Sequence, residues 1–203
     1  DGNGIKVEKL FRVSQGSYRV DIEHRLTNDT AQDWSGASYS QITRRVTDKE
    51  RSMFDVESFS FDGPIIFNGE KIEKLDSSDL NEDGPNQFVS SNGWIGSIQH
   101  HFLSAVVPEK ENEQRYQVSA NKVRVVSNMI GPTEIVYSNQ TKTFSTTAYI
   151  GPKLQSQLNA IDPKLRLSVD YGILTMLSQP LFWLLNFVHS FVQNWGLAII
   201  SVT

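Results

Sequence analysis

Residues 180–195 read PLFWLLNFVHSFVQNW and lie within a longer C-terminal segment, residues 163–203, which carries no Asp, Glu, Lys or Arg after Asp170. Charged residues make up 21% of the whole chain, so an uncharged run from residue 171 to residue 203 is unusual for a soluble domain.

The segment separates polar from apolar side chains when it is drawn as a helix of 3.6 residues per turn. Trp183 falls near the polar side of this helix. The rings of Trp183 and Trp195 would both suit the headgroup zone of a membrane. The predicted polar stripe consists of Asn186, His189, Ser190, Gln193 and Asn194. The predicted apolar face consists of Leu177, Leu181, Leu184, Leu185, Val188, Phe191, Val192 and Trp195.

The length of this helix decides how it can meet a membrane. A helix over 180–195 would be roughly 24 Å long at about 1.5 Å per residue. This helix is shorter than the roughly 20 apolar residues needed to cross a bilayer. If it did span the membrane, its amide side chains would lie in hydrocarbon. The pattern therefore predicts a helix lying in the membrane interface. The alternative is a C-terminal helix packed on a soluble core.

The last residues predict a second helix. Asn194, Trp195 and Gly196 are expected to end the first helix, because glycine tolerates the left-handed conformation at a helix end. The apolar run that follows is too short to span a bilayer. Residues 196–203 are therefore predicted to be the start of a transmembrane helix.

Composition excludes several classes of function. The net charge is -4, the two signs are interspersed and no basic block occurs, which argues against a nucleic-acid partner. Cysteine is absent, which excludes thiol catalysis, cysteine-ligated metals and disulfides. The sequence has no phosphate-binding glycine loop, nucleophile elbow or His-Glu-x-x-His motif. No catalytic, cofactor-binding or metal-ligating residue is therefore predicted.

The first 150 residues have the alternation of β-strands. Residues 5–13 and 18–26 alternate apolar and polar side chains, which predicts an antiparallel hairpin with one wet face. No helical period occurs before residue 152, so the pattern predicts an antiparallel β-sandwich. A short helix is expected over 152–161 and an acidic loop over 76–86. Further strands are predicted at 38–46, 65–67, 93–107 (a long strand or a bent pair), 115–119, 121–127, 133–138 and 141–150.

Two motifs that resemble metal sites have simpler interpretations. Residues 79–84 copy the first half of an EF-hand loop, but Ser90 stands where the loop requires glutamate, so a solvated acidic turn is expected. His100 and His101 are adjacent on a predicted strand and would point to opposite faces, so they could not chelate one metal together. His24 lies on the apolar face of its strand and is predicted to be a core residue.

Several short blocks together point to one protein family. Four of them follow one another closely in the C-terminal segment, and two more lie upstream. The C-terminal blocks are 169–172 (VDYG), 178–182 (SQPLF), 189–192 (HSFV) and 194–196 (NWG), and the upstream ones lie within 93–108, which begins GWI, and at 151–154 (GPKL).

These blocks resemble the YidC family of bacterial inner-membrane insertases, where the large periplasmic domain meets the second transmembrane helix. The resemblance implies a mainly β, antiparallel β-supersandwich of mutarotase-like shape, followed by a short helix and a C-terminal amphipathic helix. It implies a division into residues 1–162 (an N-terminally incomplete periplasmic sandwich), 163–195 (linker and interfacial helix) and 196–203.

The same resemblance implies a non-enzymatic function in the inner membrane. Such proteins help membrane proteins to insert and fold, alone or with the Sec translocon. The implied partners are membrane lipid, nascent membrane proteins and the Sec translocon, including SecD and SecF. The polar groove through which substrates enter, with its key arginine, would be formed by helices beyond Thr203.

A second hypothesis is a mutarotase-like β-sandwich that binds carbohydrates or epimerises sugars. It requires a general acid and a general base across a cleft, for which His100 or His101 could act with a glutamate. This hypothesis does not account for the uncharged C-terminal segment.

Overall fold

A computed structural model describes residues 3–46, 61–99, 101–109, 112–168 and 175–202, with only the backbone described for 175–179. The aromatic-rich residues 54–60, His100 and residues 169–174 lie outside this description. The chain forms two compact units, Asp1–Arg166 and Leu167–Thr203.

The first unit contains the described strands and two short helices. Its strands are β1 Ile5–Val13, β2 Arg19–Asn28, β3 Trp34–Gly36, β4 Tyr39–Arg45, β5 Gly63–Phe67, β6 Ile72–Lys74, β7 Asn86–Ser90, β8 Trp94–Gln99, β9 Phe102–Pro108, β10 Gln114–Ala120, β11 Arg124–Ile130, β12 Glu134–Val136 and β13 Gln140–Pro152. The helices of the chain are α1 Ser77–Glu82, α2 Gln155–Ile161, α3 Thr175–Val192 and α4 Trp195–Val202, with a 3-10 turn at Leu165–Ser168.

The described strands form three antiparallel sheets. The large sheet has the order β1-β2-β13-β9-β8-β5-β6, and the small sheet has the order β4-β11-β10-β7. A two-stranded sheet pairs β12 with β3. This mainly β, antiparallel architecture with short helices after the last strand confirms the predicted fold class.

The predicted N-terminal hairpin is confirmed, but its apolar face is not covered as expected. β1 pairs with β2 in a register that joins Ile5 to Asn28 and Val13 to Val20. Phe11 and Val13 are 59% and 73% exposed, so both faces of β1 are wet. The alternation of apolar and polar residues shows which side chains share a face of the sheet. It does not show whether another layer of structure covers that face.

A hydrophobic core cluster lies between the large and small sheets. Ile66 and Ile95 from the large sheet cluster with Tyr116 from the small sheet. The Tyr116 hydroxyl donates a 2.7 Å hydrogen bond to the Gly93 carbonyl, and its ring stacks on Phe88 at 4.6 Å. The remaining buried members of the cluster are Leu80, Val118, Val125 and Met129.

The chain that follows β13 is anchored to the first unit. Leu158 of α2 and Leu165 of the 3-10 turn are both fully buried. The Lys164 ammonium lies 5.3 Å from the centre of the Phe67 ring, which is on β5 of the large sheet. The Gln157 amide bridges to the turn between β1 and β2, accepting from the Tyr18 N–H and donating to the Gly16 carbonyl.

Two predictions for helical and loop segments were wrong. The acidic loop contains α1, because Asp76 caps its first turn by accepting from the Ser78 N–H and Leu80 packs into the core. The helix predicted at residue 152 begins at Gln155, because Pro152 is still paired with Phe102 in the large sheet.

The segment 93–107 forms a bent pair of strands, which is one of the two forms predicted for it. The predicted face of Trp94, Ile98, Phe102 and Val106 is nevertheless divided. Phe102 pairs with Gln99 and is 56% exposed, whereas Trp94 and Ile98 are buried. The turn between β8 and β9 changes the phase of the alternation, so residues on the second strand lie on the other face.

Candidate functional site

The candidate site is the second unit, which contains α3 and α4. Helix α3 runs over Thr175–Val192, whereas the sequence pattern placed the helix at 180–195. It continues on the N-terminal side of Pro180 and ends before the last three residues of the predicted range. No described helix is long and apolar enough to cross a membrane.

The turn between the two helices is made by Gln193 and Asn194. Gln193 has φ +52°, and its N–H donates to the His189 carbonyl at 2.8 Å. The Asn194 side chain accepts from the N–H groups of Gly196 and Leu197 at 2.9 and 3.3 Å. Asparagine is a preferred N-cap residue, so α4 begins immediately after it. The predicted break between the helices is therefore present at Gln193 and Asn194, but Gly196 lies inside α4 and does not make it.

Helices α3 and α4 pack against each other. Ala198 of α4 is fully buried, and Leu185, Val188 and His189 of α3 are half-buried. The rings of His189 and Trp195 stack with centroids 3.8 Å apart and planes 13° apart. Trp195 therefore belongs to α4 rather than to the apolar face of α3, and His189 faces an aromatic ring rather than open solvent.

Three aromatic rings form an exposed line along α3, named here the aromatic ridge: Trp183, Phe187 and Phe191. Trp183 stacks on Phe187 at 5.6 Å, and Phe187 meets Phe191 edge-on at 5.1 Å. Their residues are 67%, 49% and 74% exposed, although rings of this size normally bury most of their surface. The spacing of four residues places them on one face of the helix.

The exposed apolar surface extends beyond the ridge to both helices. A contiguous apolar surface of this kind usually marks a contact with a membrane or a protein. Helices α3 and α4 contain no Asp, Glu, Lys or Arg. The other exposed large apolar residues are Leu181, Phe182, Leu184, Val192, Trp195, Leu197, Ile199 and Ile200.

The predicted polar stripe divides into three parts. Asn186 and Ser190 are exposed on α3 and bond back to their own helix, the Asn186 amide to the Phe182 carbonyl at 2.8 Å and the Ser190 hydroxyl to the Phe187 carbonyl at 2.7 Å. These bonds lower the cost of placing the two side chains near hydrocarbon. His189 faces Trp195, and Gln193 and Asn194 form the turn.

Sequence reasoning missed two residues of this surface, Phe182 and Phe187. The spacing Trp183, Phe187, Phe191 is an i, i+4 series that could have revealed the ridge. Leu177 lies in the first turns of α3, and its side chain is outside the description.

The other motifs do not assemble into a site. Among the described residues, no group of three His, Cys, Asp or Glu side chains is arranged to hold a metal ion. His24 is half-buried, and its burial, with the nearby Lys9 ammonium, lowers its pKa below the ordinary value. His101 lies in the turn between β8 and β9.

Comparison with known families and proteins gives a consistent result. The model of the YidC periplasmic domain matches residues 1–184. Proteins named membrane protein insertase YidC from Nitrosococcus oceani and Methylococcus capsulatus are each 36% identical over the full length of this chain. The chain spans 37% of the length of each. These matches confirm the resemblance and the periplasmic, inner-membrane location predicted from it.

Solved structures with a similar chain path are more distant. A galactose mutarotase-like protein from Lactobacillus casei aligns with a TM-score of 0.47 and 10% identity, over 72% of this chain and 63% of its own. A putative aldose 1-epimerase from Klebsiella pneumoniae aligns with a TM-score of 0.39 and 12% identity, over 80% of this chain and 50% of its own. Similarity at this level carries no inference about activity, and the curated relatives are named insertases rather than sugar-converting enzymes.

Proposed function

The chain belongs to the YidC periplasmic domain family, and from that premise we propose that it is the periplasmic part of an insertase that helps membrane proteins to insert and fold. Its β-rich unit acts as a rigid scaffold and performs no chemical step. The substrates are nascent membrane proteins, and the Sec translocon, including SecD and SecF, is a partner of the whole protein.

The observation that supports this proposal is the exposed, uncharged surface of the second unit. We propose that α3 lies in the membrane interface with the aromatic ridge in the acyl-chain boundary. Burying one large apolar side chain contributes about 1.5–3 kcal/mol, so the three rings together supply several kcal/mol of membrane affinity. Trp183 and Trp195 suit the headgroup boundary, where an apolar ring and a polar N–H are both accommodated.

The proposed roles are assigned to consecutive segments of the chain. Residues 1–162 form the scaffold, 163–195 link it to the membrane surface, and 196–203 begin a transmembrane helix. Interface binding by α3 would then fix where the scaffold stands above the bilayer. The groove that receives substrates would be built by other parts of the whole protein.

Vesicle flotation tests the interface proposal. We expect the full chain to float with vesicles of phosphatidylethanolamine and phosphatidylglycerol, and Phe191→Asp to reduce the bound fraction severalfold. A charge at an exposed ridge position must be dehydrated when the helix enters the interface. Asn186→Asp adds the same charge on the same helix outside the ridge and should reduce binding much less.

A matched control separates membrane contact from general loss of apolar surface. Val123 is 60% exposed in the first unit, so Val123→Asp removes a comparable exposed side chain elsewhere. Its flotation should equal that of the unchanged protein. Equal flotation of the Phe191, Asn186 and Val123 variants would contradict the proposal that α3 lies in the membrane interface.

A further inference from the structure

Strand β13 has an open stretch along one side. It pairs with β2 from Gln140 to Tyr149, but its pairing with β9 on the other side begins only at Thr146. Among the described residues, no strand therefore pairs with Gln140–Ser145 on the β9 side, although β12 approaches β13 through the ion pair of Glu134 with Lys142. This stretch is an internal gap in the large sheet, bounded by the end of β9.

The hydrogen-bond pattern shows which backbone groups face the gap. Ile150 donates its N–H to the Tyr18 carbonyl, on the β2 side, and Lys153 donates to the His101 carbonyl, on the β9 side. In an antiparallel ladder the direction alternates along the strand, so even-numbered residues of β13 face β2 and odd-numbered residues face β9. The N–H and C=O of Thr143 therefore point into the gap, where no described residue bonds to them.

The gap opens where β9 ends. Pro108, the last residue of β9, is opposite Thr146. The chain then leaves the large sheet, and the next strand, β10, belongs to the small sheet. β13 is a central strand of the large sheet, but over Gln140–Ser145 it is paired on one side only.

A cleft of about 220 Å³ lies beside this open edge. Gln114 lines it and is 7% exposed, so its polar side chain borders the cleft from the small sheet. Two carboxylates, Glu109 and Glu134, also line the cleft, and Glu134 is paired with Lys142. The cleft therefore combines an unpaired strand edge, the amide side chain of Gln114 and a net negative charge. The rest of the lining is Ser38, Pro108, Asn112, Pro132 and Thr143–Thr146.

We propose that this cleft binds an extended segment of another polypeptide, which adds to the large sheet as a short strand beside β13. An open strand edge recognises an extended backbone through its main-chain groups, and pockets beside it select side chains. Six residues of edge span roughly 20 Å at about 3.4 Å per residue. The Gln114 amide would pair with a polar group of the segment, and Glu109 would favour a lysine or arginine.

The other long edge of the same sheet is less suited to strand addition. β1 presents Lys6, Glu8, Lys9 and Arg12 along its length, and charged side chains protect an edge strand from pairing. The open stretch of β13 carries one charged side chain, Lys142, which is paired with Glu134, and threonine has a high preference for strands.

Hydrogen exchange at the Thr143 amide tests the proposal. The probe is a pool of synthetic, blocked decapeptides that alternate valine and threonine and carry one lysine at each position in turn. We expect at least one member of the pool to slow exchange at Thr143 about tenfold near saturation, because exchange then requires release of the peptide. Glu109→Gln should weaken binding of that peptide but not of its lysine-to-glutamine counterpart.

A proline at the edge provides the decisive variant. Thr143→Pro removes only the N–H that faces the gap, since the ladder to β2 uses the even-numbered residues, and it should abolish peptide binding. Thr143→Val keeps the N–H and should bind as before. Thermal unfolding checks that both variants fold. Two results would overturn the proposal: equal peptide binding by the two variants, or no slowing at Thr143 with any peptide at millimolar concentration. Self-association abolished by Thr143→Pro would also overturn it, since the occupant would be a second copy of the chain.

Discussion

At the scale of single residues, close packing explains two glycines that lie in the sequence blocks resembling the YidC family. A Cβ atom on Gly93 would lie 2.8 Å from the Phe67 carbonyl oxygen and 2.9 Å from the Tyr116 ring. A Cβ atom on Gly151 would lie 2.4 Å from the Tyr18 ring. Neither residue has a positive φ, so close packing, not backbone conformation, requires the glycine.

Gly93→Ala should therefore lower the free energy of unfolding by about 1–3 kcal/mol, the usual cost of overpacking a core. Chemical denaturation would measure it. Gly196→Ala is the matched control: it lies in α4, its nearest atom is 3.3 Å away, and alanine favours a helix. A similar effect of the two substitutions would contradict the packing explanation.

His24 should make stability depend on pH. Burial and the Lys9 ammonium lower its pKa, so between the folded pKa and the ordinary value the unfolded chain binds more protons than the folded one. The free energy of unfolding should therefore fall as pH drops below about 6.5 and level off beneath the folded pKa. His24→Gln should remove this contribution. A constant stability difference between the two proteins from about pH 7.5 to about pH 5 would show that His24 does not titrate in this way.

At the scale of elements, alternation predicted the strands better than it predicted the ends of the helices. The hairpin of β1 and β2 follows directly from alternating side chains and the turn at Gly16. The phase change between β8 and β9 could not be predicted, because it depends on the register in which the two strands pair. The early end of α3 at Gln193 could not be predicted either, because any L-residue at positive φ requires local compensation.

The first compact unit continues past residue 162, where the proposed scaffold ends. It extends to Arg166, and Leu165 within it is fully buried. Leu165→Ala should lower the free energy of unfolding by about 2–5 kcal/mol, because it leaves a cavity. Leu167→Ala, at a position that is 55% exposed, should change it little.

Truncation offers an independent test of the same anchor. A chain ending at Ser168 should unfold at the temperature of the full first unit, whereas one ending at Ile161 should unfold at a lower temperature. Equal unfolding temperatures of the two truncated chains would show that the 3-10 turn does not stabilise the scaffold.

At the scale of the whole molecule, the family and the location could be inferred from short blocks of sequence, but the geometry of the membrane surface could not. The predicted apolar face included Leu185 and Val188, which α4 partly covers, and omitted Phe187. A helical wheel treats one helix at a time, so it cannot show which side a neighbouring helix will occupy. The open edge of β13 was also beyond prediction, because it depends on the register of two strand pairs.

A scaffold without chemistry should show no activity on sugars. The purified protein should not accelerate mutarotation of galactose above the buffer rate in a polarimetric assay. Acceleration that persists after repeated purification and is lost on mutation of a cleft residue would favour the carbohydrate hypothesis.

The most direct test of the interface proposal uses the absence of native cysteine. Single spin labels at Trp183, Phe187, Phe191, Asn194 and Val123 can be compared in vesicles by their accessibility to oxygen and to a water-soluble nickel complex. We expect the three ridge positions to favour oxygen, and Asn194 and Val123 to favour the nickel complex. Equal access of the nickel complex to all five positions would contradict the proposal that the aromatic ridge lies in the membrane.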